Sequence, residues 1–205
     1  MARKVNTLFV DIGGVLLSNG WDRAMRQLAA EAFSLDSAEV NERHGLLFDS
    51  YETGKITLDE YLKATVFYTG RSFSTDEFKE FMLAQQTSCP EMIELVREVK
   101  SRYRLKVAAV NNEGRELNIY RINKFGLADT IDLFISSCFV HCRKPEAAIY
   151  RIALDVAQAR PEETVYIEDR PFFVEVAGRL GINGILHKGL QTTLESLMAA
   201  VSAGM

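Results

Sequence analysis

The chain has 205 residues, of which 47% are hydrophobic and 25% charged, with a formal net charge of −4. This balance excludes a disordered chain and suits one core with a small accessory domain. It carries no Lys/Arg run of the kind that holds phosphate backbones, so neither nucleic acid nor a membrane surface is expected as partner, and no apolar run approaches the roughly 20 residues of a membrane span.

Met1 to Lys4 lead into a strand without a signal-peptide apolar region, and the three cysteines, Cys89, Cys138 and Cys142, are odd in number. Reduced thiols in a cytoplasm are therefore expected. Cys138, His141 and Cys142 invite a zinc reading but lack a fourth ligand at a usual spacing, so packing and loop roles are expected. The run Leu8-Phe9-Val10 ends on Asp11 and then breaks at Gly13-Gly14. It reads as a buried strand that delivers a carboxylate to its carboxyl edge, where open α/β sheets keep their ligands.

From about Trp21 to Thr87 the pattern is helical. Ala24, Leu28, Ala32 and Phe33 form one expected apolar face. Asp36 with Glu39, Thr57 with Glu60 and Ser74 with Glu77 have capping-box spacing, and Gly54 and Gly70 are expected stops. The segment predicts an antiparallel helical bundle set over the edge that carries Asp11, with its aromatic residues mostly in the bundle core.

From Ser88 onward helices and strands alternate, the pattern of a doubly wound parallel sheet. Ser88-Cys89-Pro90-Glu91 opens a helix with Met92, Leu95, Val96 and Val99 inward. Strands are expected over Leu105–Val110, Ile131–Ile135, Thr164–Ile167 and Gly184–His187, with a helix from Glu113 to Phe125 stopped by Gly126. Another helix, with Ala148, Ile149, Ile152 and Val156 inward, follows Arg143-Lys144-Pro145, and a last one stops at Gly181.

Asp11, Asn111 with Asn112, Lys144, and Glu168 with Asp169 come from four βα units and should gather at one sheet edge. Three carboxylates and one ammonium there suit a hard divalent cation beside a phosphate.

These four stretches, in this order, resemble the motifs of the haloacid dehalogenase-like hydrolases: Asp11-Ile12-Gly13-Gly14-Val15-Leu16, Asn111-Asn112, the lysine of Arg143-Lys144-Pro145, and Glu168-Asp169. The resemblance implies a doubly wound α/β core with strand order 3-2-1-4-5, formed by residues 1–17 and 88–205, and a helical cap over 18–87. It implies a magnesium-dependent phosphatase acting on a small phosphorylated metabolite, as a monomer or homodimer. Asp11 would be the nucleophile, forming an aspartyl phosphate, and Lys144 would pair with it and with the transferred group. Magnesium would be held by Asp11, the Gly13 carbonyl and Asp169, with Glu168 directly or through water; Asn111 and Asn112 would bind the phosphate. Gly13 stands where the family usually has a second aspartate acting as general acid, a group worth roughly 10²–10⁴ in rate. A slow phosphatase is thus expected, with an impaired regulatory or phosphate-binding protein as the alternative and a 2-haloacid dehalogenase behind it.

Overall fold

The computed structural model describes residues 4–202. Five parallel strands, β1 (Thr7–Val10), β2 (Lys106–Asn111), β3 (Leu133–Ser136), β4 (Thr164–Glu168) and β5 (Asn183–Leu186), form one sheet in the order β3-β2-β1-β4-β5. β1 is central and all four of its residues are buried, because a parallel sheet covered on both faces leaves no polar side.

Side chains alternate across the sheet. Leu8, Val10, Val107, Ala109, Val165 and Ile167 face one layer, with Met92, Leu95, Val96 and Val99 from α5 (Pro90–Tyr103) packed against them. Phe9, Ala108, Val110 and Tyr166 face the other, covered by α8 (Ala147–Ala157) and α9 (Pro171–Arg179). The remaining core elements are α6 (Arg115–Lys124), the single turn α7 (Ser137–Val140), and α10 (Leu190–Ser202), whose Leu197 and Val201 join the first layer.

Between β1 and α5 the chain makes four helices: α1 (Arg23–Ala32), α2 (Ser37–Glu52), α3 (Leu58–Thr65) and α4 (Thr75–Ala84). It leaves and returns at one place, since Leu17 bridges Ser88 antiparallel and the Ser18 amide donates to the Thr87 carbonyl at 2.9 Å. The four helices have their own apolar cluster, with Trp21, Tyr51, Tyr61, Leu62, Val66, Phe78 and Met82 at its centre. α3 and α4 begin with complete capping boxes at Thr57/Glu60 and Ser74/Glu77, whereas Asp36 caps α2 without a reciprocal bond. Among the described residues no helix is long and apolar enough to cross a membrane.

Several local expectations are corrected. Ala24, Leu28 and Ala32 are exposed; α1 buries Arg26, Ala29 and Ala30 instead, one position out of phase, because Trp21 and Phe78 draw Ala29 inward. Gly70 lies in the loop before α4, and α3 already ends at Thr65. Ser88 is engaged in the bridge to Leu17, and α5 starts at Pro90 with no side-chain cap. On α8 Ala148 and Val156 face solvent, and Tyr150, Ala153 and Leu154 take the buried stripe. The third strand starts two residues later than Ile131, after a short 3-10 turn over Leu127–Asp129.

Candidate active site

The register of the sheet brings the acidic residues together. Val10 lies opposite Ile167, so the next residues of the two chains, Asp11 and Glu168, emerge side by side at the carboxyl edge, with Asp169 one residue beyond. Ligand atoms of Asp11, Glu168 and Asp169 all lie within 4.8 Å of one another, and these three form the one such acidic, cysteine or histidine group among the described residues.

Lys144 reaches this edge from the loop between α7 and α8, with a side chain only 1% exposed. Its ammonium lies 2.9 Å from Asp11 Oδ2 and 2.7 Å from Glu168 Oε2. A buried lysine needs such partners, since desolvating an unpaired charge costs several kcal/mol. Asn112 sets the backbone of this lysine from both sides: its Oδ1 accepts from the Lys144 amide at 2.8 Å and its Nδ2 donates to the Lys144 carbonyl at 2.9 Å. Tyr166 donates its hydroxyl to Glu168 Oε2 at 2.5 Å, and the Arg170 amide donates to Glu168 Oε1 at 3.0 Å. Both oxygens of Glu168 are thereby engaged.

One lysine does not balance three carboxylates. Burial pushes Asp11 up to about 7 against the pull of Lys144, with Glu168 and Asp169 adding to the rise. Asp169 rises to about 6 through burial and then through the neighbouring Glu168 carboxylate. Burial also works to raise Glu168, but Lys144 and the hydrogen bonds around it hold its carboxyl below the usual range. Asp169 Oδ1 is buried without any hydrogen-bond partner. Excess negative charge and an orphaned carboxylate oxygen fit a hard cation with oxygen ligands.

The glycines make this approach possible. Gly14 has φ of +78°, and a Cβ there would lie 2.3 Å from Asp169 Oδ2. Gly13 is different: a Cβ would find its nearest neighbour, Asn19 Oδ1, at 3.6 Å.

Above the edge lies a cavity of about 260 Å³. Asp11, Gly13, Asn112 and Lys144 form its floor, and α1 and α2 supply a wall with Arg26, His44, Tyr51 and Glu52. Arg143 ties this wall to the floor by pairing with Glu52 at 2.8 Å. Beside it Glu113 and Arg121 form a buried pair at 2.6 Å, and Arg121 also donates to the Ser18 carbonyl. Burial pushes Glu113 up to about 6 despite this partner.

Three expected site residues do not line the cavity: Glu168 and Asp169 stay beside Asp11 at the sheet edge, and Asn111 is turned away from it. Asn111 is 2% exposed and does not line the cavity. It donates to Asn118 Oδ1 at 3.0 Å and accepts from Ser136 Oγ at 2.8 Å, closing a triangle with the Asn118-to-Ser136 bond of 3.1 Å. Its amide is thus occupied in joining β2 to β3 and α6. Cys138 is buried, with its thiol pushed up to about 12 by burial, and His141 Nδ1 lies 2.8 Å from the Thr53 carbonyl. Sequence reasoning missed Arg26, His44, Glu113 and Arg121. A single polar residue in a helix, or in the loop before one as Glu113 is, carries no sign that it points inward.

Known proteins of one family are similar to this chain. The haloacid dehalogenase-like hydrolase family matches residues 5–181. Flavin mononucleotide hydrolase 1 of Arabidopsis thaliana is 24% identical over 155 residues, 76% of this chain and 62% of that protein. Bifunctional epoxide hydrolase 2 of Rattus norvegicus is 28% identical over 130 residues, 62% of this chain and 23% of that protein. The chain thus matches less than two thirds of the length of these curated relatives. Among solved structures, a HAD family enzyme of Bacteroides thetaiotaomicron in complex with magnesium and inorganic phosphate is similar with a TM-score of 0.75 at 21% identity, over 90% of this chain and 94% of that one. A HAD phosphatase from Thermococcus onnurineus is similar with a TM-score of 0.66 at 18% identity, over 98% of this chain and 99% of that one. At these identities the two structures bear on the fold.

Proposed function

The chain belongs to the haloacid dehalogenase-like hydrolases, and we propose that it is a magnesium-dependent phosphatase that acts on a small phosphorylated metabolite through Asp11. The observation that carries this reading is the cluster of Asp11, Glu168 and Asp169 at one sheet edge, two of them paired with the buried Lys144 at the floor of a cavity, with Asp169 Oδ1 left without a partner. On this reading residues 18–87 are a cap domain over a core made by 1–17 and 88–205.

Asp11 attacks phosphorus with one carboxylate oxygen, the P–O bond to the leaving group breaks, and an aspartyl phosphate forms; water then hydrolyses it and restores the carboxylate. Lys144 holds Asp11 in place and offsets the charge of the transferred group. Asp11, Asp169 and the Gly13 carbonyl would hold magnesium, which when bound polarises the phosphoryl group. Glu168, with both oxygens engaged, acts mainly by fixing Lys144, and Asn112 does so through its two backbone bonds. The two bonds to Lys144 also take up the Asn112 amide, so main-chain N–H groups at this edge are left to bind phosphoryl oxygens.

The magnesium and phosphate complex of the Bacteroides enzyme supports the choice of metal and ligand. The dehalogenase reading is disfavoured, because three carboxylates beside one lysine repel an incoming anionic acid unless a cation is bound. The test is a panel of phosphate monoesters, flavin mononucleotide included, assayed with and without magnesium. Hydrolysis that requires magnesium and disappears in Asp11→Asn is expected. Magnesium-independent turnover, or turnover that survives Asp11→Asn, would overturn the reading. Phosphate and magnesium binding without any turnover would instead favour an impaired, phosphate-binding protein, which the bare Gly13 makes the second reading.

A further inference from the structure

The cationic residues around the cavity are not equally satisfied. Lys144 has Asp11 and Glu168, Arg143 has Glu52 and Arg121 has Glu113. Arg26, Arg23 and Arg170 line the cavity without an ion pair among the described residues, but Arg23 and Arg170 are exposed to solvent, whereas Arg26 is only 8% exposed. Its Nε donates to Asn41 Oδ1 at 2.9 Å and its Nη1 to the Trp21 carbonyl at 2.7 Å, both neutral acceptors. A guanidinium has five N–H donors, so these bonds leave three, and Asp22 nearby is occupied in capping α1. A buried arginine without a counter-ion is costly unless an anion arrives with the ligand.

His44 adds a donor to the same wall. The Tyr61 hydroxyl accepts from Trp21 Nε1 at 2.8 Å and lies 2.8 Å from His44 Nδ1, where its own proton finds an acceptor. Nδ1 therefore accepts and Nε2 carries the hydrogen. Together Arg26 and His44 offer donors to whatever fills the cap side of the cavity.

We propose that this wall is a second anion site centred on Arg26, and that the substrate is a compact phosphate monoester bearing another anionic group, either a carboxylate or a second phosphate. The inference deepens the phosphatase reading and rests on it for the phosphate end. A cavity of about 260 Å³ is near the small end of ligand pockets, which start at roughly 300 Å³, and so suits a compact ester.

The test is calorimetric binding to the magnesium-loaded protein. The probes are inorganic phosphate, phosphonocarboxylates with a linker of about one to three methylenes, alkane bisphosphonates of the same lengths, and the matching simple alkylphosphonates. At least one bifunctional probe should bind about tenfold or more tightly than its alkyl match, the scale of one charge-assisted contact. Whether carboxylates or bisphosphonates lead identifies the second group. In Arg26→Gln that advantage should fall below about threefold while the affinity for inorganic phosphate stays the same. No advantage at any length in the wild type, or an advantage that survives Arg26→Gln, overturns the proposal. Should Arg26→Gln fail to fold, His44→Phe decides instead: a loss of about threefold or more supports the site, and an unchanged advantage overturns it. If inorganic phosphate does not bind at all, the phosphatase reading falls by itself. Glutarate then tests the second site alone, with Arg26-dependent binding supporting it and no binding overturning it.

Discussion

Gly14→Ala should damage the site out of proportion to the single methyl it adds. The added Cβ would lie 2.3 Å from Asp169 Oδ2 and 2.7 Å from its Cγ, and φ at this position is +78°. An ordinary contact begins near 3.4 Å, so the carboxylate must retreat by roughly 1 Å from a group whose ligand atoms span 4.8 Å at most. A non-glycine residue held at such a φ costs about 1–3 kcal/mol by itself. Urea unfolding should therefore show a loss of about 1–3 kcal/mol, and calorimetry a magnesium affinity lower by about tenfold or more. Gly13→Ala is the control, because its Cβ meets nothing closer than 3.6 Å and its stability should stay within about 0.5 kcal/mol. If Gly14→Ala binds magnesium and resists urea like the wild type, the close packing of Gly14 on Asp169 does not shape the site and the reasoning fails.

Three further outcomes are expected. Lys144→Met leaves Asp11 and Glu168 facing each other with side chains 9% and 0% exposed, and urea titration should show a loss of about 3–5 kcal/mol; a loss below about 1 kcal/mol would mean that the pair is not stabilised by this lysine. His44 is pushed down to about 4 by burial and by the Arg26 and Arg143 charges, whereas unfolded it titrates near 6.5. The unfolded chain binds the extra proton in that window, so this part of the stability is intact above pH 6.5 and is lost as pH falls toward 4. Wild type should accordingly lose more urea resistance than His44→Phe between about pH 7.5 and about pH 5, and equal losses would refute the assignment. Gly13→Asp has room for its Cβ and should raise turnover of alkyl phosphates by up to roughly 10²–10⁴ while flattening the dependence of kcat/KM on leaving-group pKa; equal, shallow slopes in both proteins would show that another group already serves as the acid.

The sheet and its floor were legible in the sequence because they depend on short-range patterns. Apolar β-branched runs that stop at polar residues predict both strands and edge, and the topology of a parallel sheet then brings Asp11, Lys144, Glu168 and Asp169 together whatever joins them. Capping-box spacing likewise located the starts of α3 and α4, since a cap bonds only within its own first turn. What a side chain faces across the molecule has no such local sign. Asn111 sits at the strand end where it was expected, yet Asn118 and Ser136 take its amide, and only the packing of α6 and β3 beside it decides that. The linear pattern puts the buried face of α1 one position out, because buried Arg26 reads as a surface residue in it. The cavity wall, with its unpaired arginine and donor histidine, comes from α1 and α2 folding back over the sheet. The energetics of that wall arise from burial and from neighbours distant in the chain, which tertiary structure alone supplies.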